Sequence, residues 1–158
     1  MLTDSPVEVE VEVDSWALAL PDAEALTRAA ALAALAAARG SGRIVVLLTS
    51  DAEVAALNSS FRGKEGPTNV LSFPAAPNPE DHLGDIALAY GVCAREAAVQ
   101  GKVLAHHLQH LVAHGVLHLV GYDHQTDSEA EAMEALERRI LADLGAPDPY
   151  AGDQADHG

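Results

Sequence analysis

The sequence predicts a single α+β domain, a mixed sheet of about four strands packed with about five helices. Three observations carry that expectation. A chain of 158 residues is long enough to bury one core and too short for a comfortable second one. Segments of period-two alternation or β-branched character interleave with Ala/Leu-rich segments of helical period. No internal repeat divides the chain, so the elements should form one domain over residues 1–145, followed by an acidic Asp/Pro/Gly tail, 146–158, expected to be disordered.

The elements follow in order. Val7, Val9, Val11 and Val13 alternate with Glu8, Glu10 and Glu12, a strand with one wet face. From about Pro21 to Arg39 the chain is Ala/Leu-rich and ends at Gly40, a helix with its stop. Arg43 to Leu48 (RIVVLL) reads as a more buried strand. Ser50 to Glu53 is a capping box opening a helix to about Ser60. A loop-rich stretch, 61–82, contains a short strand at Asn69 to Phe73. Leu83 to Tyr90 is a further strand, Gly91 to Gln100 a helix, and Lys102 to Val120 a longer helix stopped by Gly121. The last helix, from about Ser128 to Leu144, carries Glu129, Glu131, Glu134 and Glu137 and reads as a solvated face.

Composition limits the chemistry. Hydrophobic residues make up 49% of the chain but aromatics only 4%, which predicts a Leu/Val core with closely packed Ala helices. One cysteine, Cys93, excludes an internal disulfide framework and a Cys-based zinc site, and it suits a reducing cytoplasm. The acidic, alternating start lacks the basic-then-apolar pattern of a signal peptide. The apolar run Ala29 to Ala38 is too short and too weakly apolar to span a bilayer.

Taken as a total, the net charge of −15 argues against a nucleic-acid ligand, because phosphate contacts need Lys and Arg. Its distribution changes that inference. Residues 1–24 and 125–158 each contribute −7, leaving −1 for the central hundred residues. Residues 39–64 carry four bases (Arg39, Arg43, Arg62 and Lys64) against two acids, the one clearly basic window.

Seven of the eight histidines fall between His82 and His124, most densely in HHLQHLVAHGVLHLVGYDH, residues 106–124. His114 and His118 are one turn apart on the helix and project from the same face. Gly121 lets the chain reverse, so that His124 can return as a third ligand. Three imidazoles fit Zn2+, one per chain, with other divalent transition metals accepting the same donors, and they leave a fourth position open for catalysis. His110 is a candidate supporting residue, His106 and His107 are not assigned, and Asp123 either orients His124 or caps the turn. The spacing is close to the zinc-protease pattern HExxHxxGxxH, but the general-base position is Gly115, which disfavours a peptidase.

HGVLHLVGYDH, preceded by FRGKEGPTNVLSFP and LGDIAL, closely resembles the YbeY family of bacterial rRNA maturation factors over about residues 45–140. The resemblance implies a single-strand-specific, metal-dependent endoribonuclease acting in 16S rRNA 3′-end maturation and ribosome quality control. It implies His114, His118 and His124 as zinc ligands, with His114 catalytic, and places the family's functional arginine on Arg62. Asn69 departs from the Asp of many members, which removes a carboxylate there. The implied partners are rRNA and the small ribosomal subunit with its proteins, in the cytoplasm, with no membrane and no organic cofactor. Arg62 suits a phosphate because guanidinium stays charged and binds oxygens bidentately; Lys64 adds charge beside it, and Ser72, Phe73 and Asp85 are candidates for the cleft wall. Two other readings stay open: a metal-dependent hydrolase of another class, and a non-catalytic assembly factor stabilised by zinc.

Overall fold

The computed structural model describes residues 5–123 and 125–150. Its elements are β1 (Val7–Val11), α1 (Asp14–Ala19), α2 (Ala23–Ala37), β2 (Arg43–Thr49), α3 (Asp51–Arg62), β3 (Val70–Pro74), β4 (His82–Ala89), α4 (Tyr90–Gln100), α5 (Leu104–Leu119) and α6 (Asp127–Asp143). The sheet order is β1-β2-β4-β3; β1, β2 and β4 run parallel and β3 pairs antiparallel with β4. The mixed four-stranded sheet expected from the sequence is present. The helices number six among the described residues, because α1 forms where a connection was expected. At six residues α1 is too short to show a helical period, and it is held by Trp16, which is fully buried, donates its indole N–H to the Thr49 carbonyl at 3.1 Å and meets Tyr90 edge to face.

Strand alternation assigns the two faces of the sheet. Ile44, Val46 and Leu48 of β2, with Ile86 and Leu88 of β4, enter the main core beneath α2 and α5. Ala87 and Ala89 point the other way, joining Val54 of α3 and Leu71 of β3 in a smaller cluster. Ser50 caps α3 through its hydroxyl, which accepts the Glu53 N–H at 3.1 Å. Thr126 and Glu129 form a reciprocal capping box at the start of α6.

Helix α5 lies inside the molecule, and ten of its sixteen residues are buried. Its close approach to the sheet depends on Gly115. A Cβ there would stand 3.0 Å from Ile86 Cγ2 and 3.2 Å from Ser72 Oγ. The helix closes at Gly121, whose φ of 106° is open to glycine and strained for other residues. No helix among the described residues is long and apolar enough to cross a membrane.

The segment after α6 corrects the expectation of disorder from Ala146 onward. As far as Tyr150 the chain is packed: Lys102 donates to the Pro149 carbonyl at 2.9 Å, Arg138 pairs with Asp148 at 3.4 Å, and its guanidinium lies over the Tyr150 ring. Residues 151–158 lie outside the described residues.

Candidate active site

The C-terminal half of α5 carries His114 and His118 into a cavity of about 640 Å³, walled by Ser72 and Pro74 of β3, Tyr122 after α5, Tyr150, and Arg62 at the end of α3. The rings of His114 and His118 meet edge to face, their planes at 84° and their Nε2 atoms 3.1 Å apart. Each ring is fixed through its other nitrogen. His114 Nδ1 is 2.6 Å from Glu137 Oε2, and His118 Nδ1 is 3.1 Å from the Tyr122 carbonyl. The Tyr122 carbonyl is aimed there by the turn at Gly121, where the Tyr122 N–H returns to the Leu117 carbonyl at 2.9 Å.

Glu137 overturns one expectation. It is 0% exposed, a buried acid and not part of a solvated face, and it accepts from His110 Nε2 at 3.0 Å, from His114 Nδ1 and from the Tyr150 hydroxyl. Burial alone would raise its pKa, but the His110 and His114 imidazoles outweigh that and hold the carboxyl down to about 2. Burial, then the Glu137 carboxylate, pushes the Tyr150 phenol well above its ordinary value, so it stays a donor. The sequence does contain a signal for Glu137. Met133, Glu137, Ile140 and Leu141 occupy one helical stripe, and the other three are apolar and buried. Tyr150 carries no comparable signal within the Asp/Pro-rich tail.

This geometry fits a metal ion. The Glu137 carboxylate and the Tyr122 carbonyl can only accept, so both Nδ1 atoms carry hydrogen and the two Nε2 atoms, 3.1 Å apart, are left as the possible donors to a metal. Two lone pairs 3.1 Å apart repel unless a proton or a metal ion lies between them, and tetrahedral zinc with bonds of ~2.0–2.1 Å spaces its nitrogens by a similar distance. Among the described residues no set of three or more His, Cys, Asp or Glu side chains surrounds such a point. His124, the expected third ligand, lies outside the described residues.

The remaining predicted residues separate. Arg62 lines the cavity, whereas Lys64, Arg39 and Arg43 do not. Ser72 donates to the Gly115 carbonyl at 3.2 Å, binding the cavity wall to α5. Asp85 pairs with His82 at 2.8 Å and lies outside the cavity lining. Asn69 lines the cavity but spends its amide on Glu96 at 3.0 Å, and Glu96 also takes His107 Nε2 at 2.9 Å. His107 is thus turned away from the His114–His118 pair. His106, His107 and His110 share a smaller cavity of about 220 Å³ against Pro147 and Pro149.

Comparison with known proteins identifies the family. The family model for endoribonuclease YbeY matches residues 10–145. A Rhodopseudomonas palustris (strain BisA53) protein named endoribonuclease YbeY is 54% identical over 94% of this chain and 92% of its own. One of the same name from Maricaulis maris is 52% identical over 91% of each. The solution structure of a Thermotoga maritima protein shares the fold, with a TM-score of 0.56 at 24% identity over 87% of this chain and 91% of that one. With a family match across nearly the whole domain and relatives alike in half their residues, the chain belongs to the YbeY endoribonuclease family.

Proposed function

We propose that this chain is a metal-dependent endoribonuclease cleaving single-stranded RNA, with zinc held by His114, His118 and His124 and the scissile phosphate gripped by Arg62. The observation that carries the reading is the pair of Nε2 atoms 3.1 Å apart in a cavity that Arg62 also lines. When bound, a divalent transition ion supplies a Lewis acid and brings the pKa of a water toward neutrality. Glu137 and the Tyr122 carbonyl hold the two imidazoles in the ligating tautomer, and Glu137 balances positive charge in a dry setting. The Arg62 guanidinium meets the negative charge that develops on the phosphate oxygens. Lys64, exposed nearby, adds attraction to the approaching strand.

The substrate is 16S rRNA near its 3′ end, in the context of the small ribosomal subunit and its proteins and of ribosome quality control. The family membership supports this, and the near-neutral charge of residues 25–124 permits it. A peptidase is disfavoured by Gly115. The position that carries the general base in zinc proteases has no side chain here, and a Cβ added to it would already press on Ile86 and Ser72 at 3.0–3.2 Å across the α5–sheet contact.

A second reading has its own support. Glu137 joins α6 to His114, so an ion at the pair would also fasten α6, as expected of an assembly factor with a structural metal. The experiment compares the wild-type protein with His114→Ala and Arg62→Glu on single-stranded and structured rRNA fragments, with metal content by elemental analysis. Cutting of the single-stranded fragments that both substitutions abolish is expected. Cleavage that survives both would reject the site, and loss of ribosome association with no turnover to lose would favour the second reading.

A further inference from the structure

A second groove, of about 570 Å³, lies on the other side of Arg62 from the histidines. It shares Arg62, Ser72 and Pro74 with the first cavity, and its own floor and rim include Phe61, Phe73 and Asp85. Phe61, in the last turn of α3, is 70% exposed. Its ring meets Phe73 edge to face, with centroids 5.4 Å apart and planes at 63°. That contact fixes the orientation of the ring while most of it remains in water. With Leu47, Leu57 and Phe73 lining the same groove, the exposed ring belongs to a contiguous apolar surface that a planar ligand can cover.

Charge identifies which part of a ligand fits. Arg62 stands where the two grooves meet and suits a phosphate. Asp85 rims the second groove, its Oδ1 2.8 Å from His82 Nε2, and would repel a phosphate placed there. A carboxylate beside an aromatic face instead suits a nucleobase and its ribose hydroxyl, which offer a π-face and hydrogen-bond donors.

We infer that Phe61, braced by Phe73, is a stacking platform for one unpaired nucleobase of the RNA strand whose phosphate is held by Arg62. The inference rests on the reading of the histidine cavity as an RNA site. A base inside a duplex has both faces covered by its neighbours, so the platform admits only bases that can leave the stack.

The test uses the full-length, metal-loaded chain and a single-stranded RNA oligonucleotide. Phe61→Ala should raise KM about tenfold with little change in kcat, the loss expected for one base–aromatic contact. Phe61→Trp should restore KM, and Phe61→Leu, equally apolar but without a π-face, should not. An abasic nucleotide stepped along the substrate should raise KM at one fixed distance from the cut, and this penalty should vanish in Phe61→Ala. Binding of an oligonucleotide carrying a fluorescent adenine analogue gives a separate reading. Quenching that depends on Phe61 in a protein that cuts no RNA would retain the platform and reject the cleavage reading. Cleavage with the same KM in all three variants would overturn the platform alone, as would rescue by Leu as good as rescue by Trp. Unchanged KM with lost binding to ribosomal particles would assign this face to a protein contact.

Discussion

Glu137 Oε2 lies 2.6 Å from His114 Nδ1, tying a buried acid of the last helix to an imidazole of the central one. The same carboxylate takes His110 and Tyr150 on its other oxygen. One buried charge therefore sets the tautomer of His114, and it is anchored from three directions.

Replacing Glu137 with Gln keeps the shape but removes the charge and one acceptor. Zinc affinity should fall about 10- to 100-fold, the usual cost of losing a carboxylate behind a ligating histidine. Competition against a chromophoric chelator measures this. Glu137→Ala takes the buried acceptor from His114 Nδ1, leaves His110 and Tyr150 only their 3.4 Å contact with each other, and should lower stability by roughly 3–5 kcal/mol in denaturant unfolding. Equal zinc affinity in wild type and Gln variant would remove the orienting role.

Tyr150→Phe deletes a single hydroxyl from the network. Stability should drop by about 1 kcal/mol, the worth of one satisfied buried hydrogen bond. Because the carboxylate keeps both histidines, zinc affinity should fall less than in the Gln variant. A chelator titration in which the two variants lose equally would show that Tyr150, and not the charge, orients the site.

His107 predicts a pH effect that can be read without metal. It is 4% exposed; burial pushes its pKa below the ordinary 6.5, and the bond to Glu96 offsets this only in part. Near pH 6.5 the unfolded chain takes up a proton that the folded chain refuses, so unfolding binds protons. Stability from this residue is complete above 6.5 and falls as the pH drops through that value toward the folded pKa. In chelator-treated protein, His107→Gln should flatten this part of the stability–pH curve. Parallel curves for variant and wild type would contradict the assignment.

Gly115→Glu supplies the residue that zinc proteases carry at this position. It should confer no peptide hydrolysis, because the new side chain would point at Ile86, 3.0 Å from its own Cβ. It should instead lower the unfolding midpoint steeply, by burying a charge where the helix touches the sheet. A stable variant that cleaves peptides would reverse the argument against a peptidase.

Much of this was legible in the sequence. The Val7 to Val13 alternation and the RIVVLL run describe two strands, and the spacing of His114, His118 and Gly121 describes a helix end presenting two imidazoles, because each pattern is local. What was not legible is tertiary. Glu137 shares its chemistry with Glu129, Glu131 and Glu134, and only its register with Met133 and Ile140 sets it apart. Tyr150 reaches the site through a fold-back that packing enforces and local propensity does not specify. α1 has no periodic face to mark it in the sequence, because one buried tryptophan holds it.

The two imidazoles are secured on unequal terms. His118 is fastened to Tyr122, four residues along its own chain, whereas His114 depends on α6, a separate helix. Local opening of α6 would therefore loosen one ligand and spare the other. The lifetime of an ion in this site becomes a property of that helix's fluctuations, and metal exchange should keep pace with amide hydrogen exchange in α6.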